Sequence, residues 1–247
     1  MAVEDRLHKY KKRYLKYSIK KSKSHRLVII FSGVDASPGS CRMSYYSLKD
    51  KIDANVVHIM DDIGTHGCYL LSVAGDFQIR NVVLSLLQDL QKELEVNKDD
   101  IYFIGTSKGG TSAIAYSLIF GGGKVLAGEP QILLGDFIYS EKWEQLEQFR
   151  SLGYVMTGRV SPEIDRHTLN KYMDDIISRY GAAYSGQMVI LSGEKTGYLA
   201  RHVSPFMSAV ESAQMSKISV KVIDIDFHEQ IVDVFLDECQ NIFEAFE

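Results

Sequence analysis

The segment that most restricts the fold of this chain is Ile101–Ala115, which reads IYFIGTSKGGTSAIA. An apolar, β-prone run of four residues leads into Gly105-Thr106-Ser107-Lys108-Gly109, and small residues with a helical pattern follow. A G-x-S-x-G motif between a buried strand and a helix is typical of a nucleophile elbow, in which a tight turn exposes the serine hydroxyl. The alternative is a glycine-rich turn without chemistry. The context favours the elbow and predicts Ser107 as a nucleophile.

The composition indicates one ordinary globular domain. The chain has 247 residues, of which 45% are hydrophobic and 24% charged. Its three cysteines, Cys41, Cys68 and Cys239, are widely spaced and do not form a metal-ligand pattern, which favours a reducing compartment over a disulfide framework. No apolar run is long enough to cross a bilayer, so we expect a cytoplasmic protein. Because the cysteines have no metal-ligand spacing, we also expect no bound metal.

The charge is distributed unevenly. Residues 1–26 contain ten Lys or Arg and two acidic residues, whereas the remainder contains 18 basic and 30 acidic residues. Tyr10, Tyr14 and Tyr17 recur at helical spacing, so this segment is predicted to be a basic helix. Such a helix favours binding to an anionic partner, and the candidate contacts are Lys11, Lys12, Lys20 and Lys21. The alternative is a surface helix whose lysines are only solvated. A nucleic-acid partner is disfavoured because the acidic body has no recognisable nucleic-acid motif.

Strands and helices alternate through the rest of the chain. The predicted strands are 27–31, 55–60, 101–104, 124–128, 188–191 and 220–225. The predicted helices are 43–51 (or a turn), 77–96, one from the elbow to about 120, 203–214 and 229–246, and residues 137–180 form a helical, lid-like insert. Near-continuous apolar strands separated by helices predict an α/β fold with a mainly parallel sheet. The expected organisation is a basic helix over 1–26 and a single α/β-hydrolase domain over 27–247.

His228 is the predicted general base, because a serine hydroxyl needs an imidazole to accept its proton. It follows the last predicted strand, and nucleophile, acid, histidine is the chain order of the α/β-hydrolase fold. The acid stays open between two candidates. Asp226 lies two residues before the histidine, and Glu194 lies past the penultimate strand, where Thr196 occupies the position at which an aspartate is expected. Gln131 and Gln230 are weaker candidates for a supporting partner.

The oxyanion hole needs two N–H donors near Ser107. One is predicted to be the backbone of Lys108, which follows the nucleophile, and the other Gly33 or Val34 in the loop after the first buried strand. Arg42, in the same loop, is a candidate for binding an anionic substrate.

Four segments carry a more specific resemblance: IMDDIGTHGCYL, GTSKGGTSAIAYSL, GEPQILLG and GEKTGYLARHVSPF, followed by His228. Together they resemble bacterial serine-hydrolase-fold proteins of capsule and surface-glycan biosynthesis, over roughly residues 27–245. Chain length and the basic N-terminal segment are most similar to capsular polysaccharide O-acetyltransferases of the meningococcal serogroup A type. The resemblance implies acetyl-CoA as donor, a polymer of N-acetylmannosamine 1-phosphate as acceptor, and Ser107 and His228 as nucleophile and base. Thr196 departs from the group's usual aspartate.

The resemblance therefore implies a polysaccharide O-acetyltransferase, which would work through an acetyl-serine intermediate. A carbohydrate esterase or deacetylase would use the same residues, and a non-catalytic module that binds glycan or a partner protein is the third alternative. Contacts with other capsule-biosynthesis enzymes fit the same resemblance, and the charge of the basic segment also fits contact with an anionic membrane surface.

Overall fold

The protein is described by a computed structural model that covers residues 3–35, 37–39, 41–140 and 146–246. The strands are β1 (Val3–Tyr10), β2 (Arg13–Lys20), β3 (Leu27–Phe31), β4 (Asn55–Ile59), β5 (Ile101–Thr106), β6 (Lys124–Gly128), β7 (Gln187–Gly193) and β8 (Ile218–Ile223). The helices are α1 (Gln78–Glu93), α2 (Lys108–Phe120), α3 (Leu134–Ile138), α4 (Glu147–Thr157), α5 (Pro162–Tyr180), α6 (Ser204–Ser212) and α7 (Ile231–Gln240). Short 3₁₀ turns occur at Tyr46–Asp50 and His228–Gln230, among other places.

The strands form one eight-stranded sheet in the order β1-β2-β4-β3-β5-β6-β7-β8. From β4 to β8 all neighbouring strands are parallel, and β1 and β2 join the β4 edge as an antiparallel hairpin. The predicted class, a mainly parallel sheet flanked by helices, is confirmed. The predicted elements are found with shifts of a few residues, and α3, α4 and α5 lie between β6 and β7, where the helical insert was expected.

The prediction of an N-terminal basic helix is wrong, because residues 3–20 form the hairpin. Leu15, Tyr17 and Ile19 of β2 are buried on one face of the sheet. Lys16 and Ser18 alternate with them on the other face, where Lys16 is exposed and Ser18 is buried, and this alternation is the two-residue period of a strand. Tyr17 lies opposite Ile59 of β4, so this apolar row extends the core of the sheet.

Both faces of the sheet are covered. One face packs Ile29, Phe31 and Phe103 against α1, α2 and the helical insert. The opposite face packs Ile30 and Ile104 against α7. Because buried strands fix both the sheet and the helices, the loops at the carboxyl ends of the parallel strands have a rigid base. No helix in the described part of the chain is both long and apolar enough to span a bilayer.

Candidate active site

Ser107 lies in the tight turn between β5 and α2. Its backbone has φ 54° and ψ −125°, a strained conformation for a residue with a side chain. A Cβ on Gly105 would lie 2.5 Å from the Gly109 backbone, and a Cβ on Gly109 would lie 2.3 Å from the Phe31 carbonyl oxygen. Both glycines are therefore required for the turn to pass between its neighbours. The segment has the geometry of a nucleophile elbow.

His228 follows β8 at the same edge of the sheet, and its ring is held by Glu129. The Nδ1 atom of His228 is hydrogen-bonded to Oε2 of Glu129, the residue directly after β6. Glu129 is fully buried, whereas the His228 side chain is 29% exposed. A buried carboxylate on Nδ1 fixes the orientation and tautomer of an imidazole, which leaves Nε2 free to accept a proton.

The Glu129 carboxylate is itself fixed by the loop after β7. Its Oε1 atom accepts a hydrogen bond from the Gly193 N–H at 3.0 Å and another from the Thr196 hydroxyl. The backbone of Glu129 has φ 44°, in the left-handed region, so the chain turns sharply to bring the carboxylate under the imidazole. Thr196 occupies the position at which an aspartate was expected. Its hydroxyl instead donates a hydrogen bond to Glu129, the carboxylate that follows the neighbouring strand β6.

The two carboxylates favoured by the sequence analysis do not contact His228. The Asp226 side chain is 59% exposed and pairs with Lys195 at 3.1 Å, and Glu194 lies on the surface. Expecting Asp226 or Glu194 on the imidazole was therefore wrong: both point to solvent, and Glu129 takes the position on Nδ1.

Gln131 and Tyr198 connect the serine to the histidine. The Gln131 Nε2 atom donates a hydrogen bond to Ser107 Oγ at 2.6 Å. The Tyr198 ring is stacked on His228 with centroids 4.4 Å apart and planes 8° from parallel, and its hydroxyl interacts with Gln131. Stacking on the ring face stabilises an imidazolium. Gln131 was predicted only as a weaker candidate for a supporting partner, and Tyr198 was not predicted; Pro130-Gln131 directly after a strand was the available signal.

The predicted oxyanion-hole residues lie beside the elbow. Lys108 is the first residue of α2, so its N–H has no acceptor within the helix. The Gly33 N–H, in contrast, donates to the Ser44 hydroxyl at 3.0 Å. Val34 is half-buried in the same loop. Of the two predicted loop donors, Gly33 already has an acceptor.

The Lys108 side chain forms a buried ion pair that the sequence did not reveal. Its Nζ atom lies 2.7 Å from Oδ2 of Asp61, with both side chains almost fully buried, and 3.2 Å from the His66 carbonyl oxygen. A Cβ on Gly67 would lie 2.3 Å from this Nζ. The ion pair ties the start of α2 to the loop after β4.

Most of the predicted substrate-binding cations pair with carboxylates of the body. Lys20 lies 3.4 Å from Asp50 and Lys21 lies 2.6 Å from Glu93. Arg42 is 80% exposed and lies 3.4 Å from Asp35. Lys11 and Lys12, at the turn of the hairpin, are exposed and form no ion pair within the described residues. The free positive charge of the N-terminal segment is therefore smaller than its sequence implied.

A cavity of about 710 Å³ lies between the loop after β4 and the helical insert. Its lining includes Thr65, Tyr139, Arg150, Tyr154 and Arg159. Arg159 is paired with Asp165, whereas Arg150 has no ion pair within the described part of the chain. The cavity has the volume of a small-molecule site. Among the residues described, no group of three or more His, Cys, Asp or Glu side chains is arranged to hold a metal ion.

Comparison with known proteins shows the fold. No protein-family model matches the chain, and no curated protein matches its sequence. Among solved structures, the capsule O-acetyltransferase of Neisseria meningitidis serogroup A, as a variant in complex with CoA, is 16% identical, with a TM-score of 0.77 over 92% of this chain and 91% of that chain. Carboxyl esterase 2 of Tuber melanosporum is 12% identical, with a TM-score of 0.69 over 99% of this chain and 86% of that one. This chain has the α/β-hydrolase fold.

A third similar structure is the Glycosylation Associate Protein (Gap123) complex of Streptococcus agalactiae. It is 14% identical, with a TM-score of 0.75 over 98% of this chain and 46% of that chain. This chain therefore spans less than half of the matched streptococcal chain.

Proposed function

We propose that this protein is an O-acetyltransferase that moves an acetyl group from acetyl-CoA, through an acetyl-Ser107 intermediate, to a sugar hydroxyl of an anionic capsular polysaccharide. The observation that carries the proposal is the hydrogen bond between the buried Glu129 carboxylate and His228, at the sheet edge that exposes Ser107. A nucleophile on an elbow, an imidazole and a carboxylate on Nδ1 are the three parts that acyl transfer through serine requires.

In the first half-reaction, His228 Nε2 takes the proton of the Ser107 hydroxyl while Oγ bonds to the thioester carbon. The negative charge on the former carbonyl oxygen is stabilised by the Lys108 N–H at the start of α2. Collapse of the tetrahedral intermediate breaks the carbon–sulfur bond. His228 donates its proton to the departing sulfur, and coenzyme A leaves as the free thiol. In the second half-reaction, His228 deprotonates a sugar hydroxyl, which attacks the acetyl-serine and regenerates Ser107.

An acyl acceptor other than water is favoured by the comparison with the meningococcal capsule O-acetyltransferase, whose structure was determined with CoA and matches over nine-tenths of both chains. The second candidate is a carbohydrate esterase, since a carboxyl esterase shares the fold and an esterase needs the same three residues. The two functions differ only in the final acceptor of the acyl group.

The experiment that tests the proposal is intact-mass spectrometry of the protein mixed with acetyl-CoA, followed by addition of acceptor. We expect a gain of one acetyl group, mapped to Ser107, that is lost faster when an N-acetylmannosamine 1-phosphate polymer is added than in buffer. Loss at the same rate with and without polymer would favour the esterase. No acetyl gain and no turnover of p-nitrophenyl acetate would favour a non-catalytic module.

The position of the N-terminal hairpin supports a role for its turn in binding an anionic acceptor. Because β2 runs antiparallel to β4, with Lys20 opposite Val56 and Tyr17 opposite Ile59, its turn at Lys11 and Lys12 lies beyond the carboxyl end of β4. Ser107 follows β5, which is three strands from β2 in the sheet order, or roughly 14 Å across the sheet at the usual strand spacing; the turn lies several residues further along the strand direction. A polymer bound at Ser107 can therefore extend along the edge to these two lysines. We propose a cytoplasmic location on the same basis, because acetyl-CoA is a cytoplasmic metabolite.

The Lys11→Gln/Lys12→Gln variant is expected to raise the acceptor KM by roughly threefold to tenfold at low salt, because exposed charge pairs contribute modestly. The kcat and the rate of acetyl-enzyme formation should stay unchanged. Since these charges are screened by salt, the difference from wild type should shrink as ionic strength rises. Initial rates against acceptor concentration at two salt levels measure the effect.

The matched control is Lys20→Gln/Lys21→Gln. It removes the same formal charge from lysines already paired with Asp50 and Glu93, so the acceptor KM should change less than twofold. Equal effects of the two double variants would mean that net charge alone matters. A wild-type KM and salt response in the Lys11→Gln/Lys12→Gln variant would exclude the hairpin turn from acceptor binding.

A further inference from the structure

The Gln131 side chain is a fully buried amide aimed at the reacting atom. Its Nε2 atom donates to Ser107 Oγ at 2.6 Å, and the residue has no exposed surface. A buried amide keeps its position only when its hydrogen bonds are satisfied. The contacts around Gln131 therefore show whether its N–H is fixed toward the serine or free to turn.

Two tyrosines fix the amide. The Tyr69 hydroxyl donates to Gln131 Oε1 at 3.3 Å, so the carbonyl end faces away from the serine and the NH₂ end faces it. Tyr198 adds a second hydroxyl contact. Burial raises the pKa of both tyrosines, so both hydroxyls stay protonated at neutral pH. Tyr69 is itself fixed through its backbone, because its carbonyl oxygen accepts from Ser112 of α2 at 3.0 Å.

The Gln131 backbone is fixed as well. Its N–H donates to the Thr111 hydroxyl at 2.9 Å, and its carbonyl oxygen accepts from that hydroxyl at 2.8 Å. Thr111 lies one turn after Ser107 on α2. The amide is therefore anchored to the helix that carries the elbow, and its position relative to Ser107 is preorganised.

On these contacts we propose that the Gln131 side chain is an oxyanion-hole donor and acts together with the Lys108 N–H. When Oγ bonds to the acyl carbon, the carbonyl oxygen that becomes the oxyanion is two bonds from Oγ. A donor already 2.6 Å from Oγ reaches that oxygen with a small shift. Of the two loop residues predicted for this role, Gly33 and Val34, the Gly33 N–H instead donates to Ser44. The inference rests on the proposed use of Ser107 as nucleophile and adds a side-chain donor to its mechanism.

The test is the Gln131→Met variant, which keeps the length of the side chain and removes the N–H donor. We expect kcat/KM for p-nitrophenyl acetate to fall by about 10² to 10³-fold, the usual loss for one oxyanion-hole donor. An alkyl boronic acid, which forms a tetrahedral adduct with a reactive serine, should lose affinity by a similar factor. The Kd of CoA should change less than twofold, because Gln131 acts on the transition state.

A second variant separates this role from a structural one. Tyr69→Phe leaves the Gln131 amide in place and removes one of its two tyrosine contacts, so we expect a loss of no more than about tenfold in kcat/KM. Thermal unfolding of both variants checks that the fold is retained. If the Gln131→Met protein unfolds early, the Gln131→Asn variant is used in its place. This variant keeps the amide but withdraws it from Ser107 by one methylene, and it should show the same joint loss of turnover and boronate affinity.

Less than a threefold change in kcat/KM, or a loss of turnover with unchanged boronate affinity, would overturn the inference. Failure of the proposed function has a different signature. Wild-type protein that turns over p-nitrophenyl acetate and binds boronate but is not acetylated by acetyl-CoA contradicts the transferase alone. Wild-type protein that does neither contradicts the serine mechanism and this inference together.

Discussion

Ser107→Ala is expected to abolish acetyl-enzyme formation and to lower turnover by about six powers of ten, the loss seen when the nucleophile of a serine hydrolase is removed. The substitution deletes one oxygen and leaves the elbow intact, because the turn depends on Gly105 and Gly109 and on the Ser107 N–H, which donates to the Gly128 carbonyl oxygen at 2.8 Å. Intact-mass spectrometry after mixing with acetyl-CoA measures the first effect, and initial rates measure the second.

The matched control is Ser208→Ala. Ser208 is exposed on α6, and its hydroxyl bonds only to the Ser204 carbonyl oxygen among the described residues. This variant should be acetylated and should turn over like wild type. Thermal unfolding of both variants should coincide with wild type within a few degrees. Acetylation that persists in folded Ser107→Ala protein would place the acyl group on another residue and contradict the mechanism.

The parts of the fold that the sequence predicted are those fixed by local pattern. The apolar strand Ile101–Thr106, the glycines beside Ser107 and the small residues of α2 all lie within one continuous segment. The position of His228 at the same sheet edge was predicted for a related reason, since it follows the last strand and the carboxyl ends of parallel strands meet at one edge. Neither inference needed knowledge of which strands are neighbours.

The N-terminal hairpin was mispredicted because two patterns compete in the same residues. Tyr10, Tyr14 and Tyr17 have helical spacing, but Leu15, Tyr17 and Ile19 alternate with Lys16 and Ser18. The strand pattern prevails because β2 completes the β4 edge and buries Leu15 and Ile19 almost fully. An isolated basic helix would have left these side chains without a core. Tertiary packing thus overrode the local helical signal.

The partner of His228 was missed because it depends on strand order. Glu129 and His228 are 99 residues apart, and their pairing requires β6 to lie between β5 and β7, which no local pattern reveals. The sequence did contain a signal in Gly128-Glu129-Pro130, a carboxylate directly after a buried strand. Thr196 was the second signal: a hydroxyl in place of the expected acid is suited to donate a hydrogen bond to a carboxylate held elsewhere.

Glu129→Gln is expected to lower kcat/KM by about four powers of ten, as for the amide replacement of the orienting aspartate in serine proteases. The oxygen of the introduced amide can still accept from the Gly193 N–H and the Thr196 hydroxyl, so the fold should be retained. The NH₂ group of that amide would then face His228 Nδ1 and donate to it. The imidazole would carry its proton on Nε2, toward Ser107, and a protonated Nε2 cannot accept the serine proton.

Asp226→Asn and Glu194→Gln are the controls for this prediction. Both remove a carboxylate that the sequence analysis proposed for His228, but both positions are exposed, and Asp226 pairs with Lys195. Each should therefore change kcat/KM less than twofold. Thr196→Val should fall between these extremes, with a loss of about tenfold, because it removes one hydrogen bond to the Glu129 carboxylate and leaves the carboxylate itself. Full activity in Glu129→Gln, or a loss in Asp226→Asn that equals it, would show that another carboxylate orients His228 during turnover.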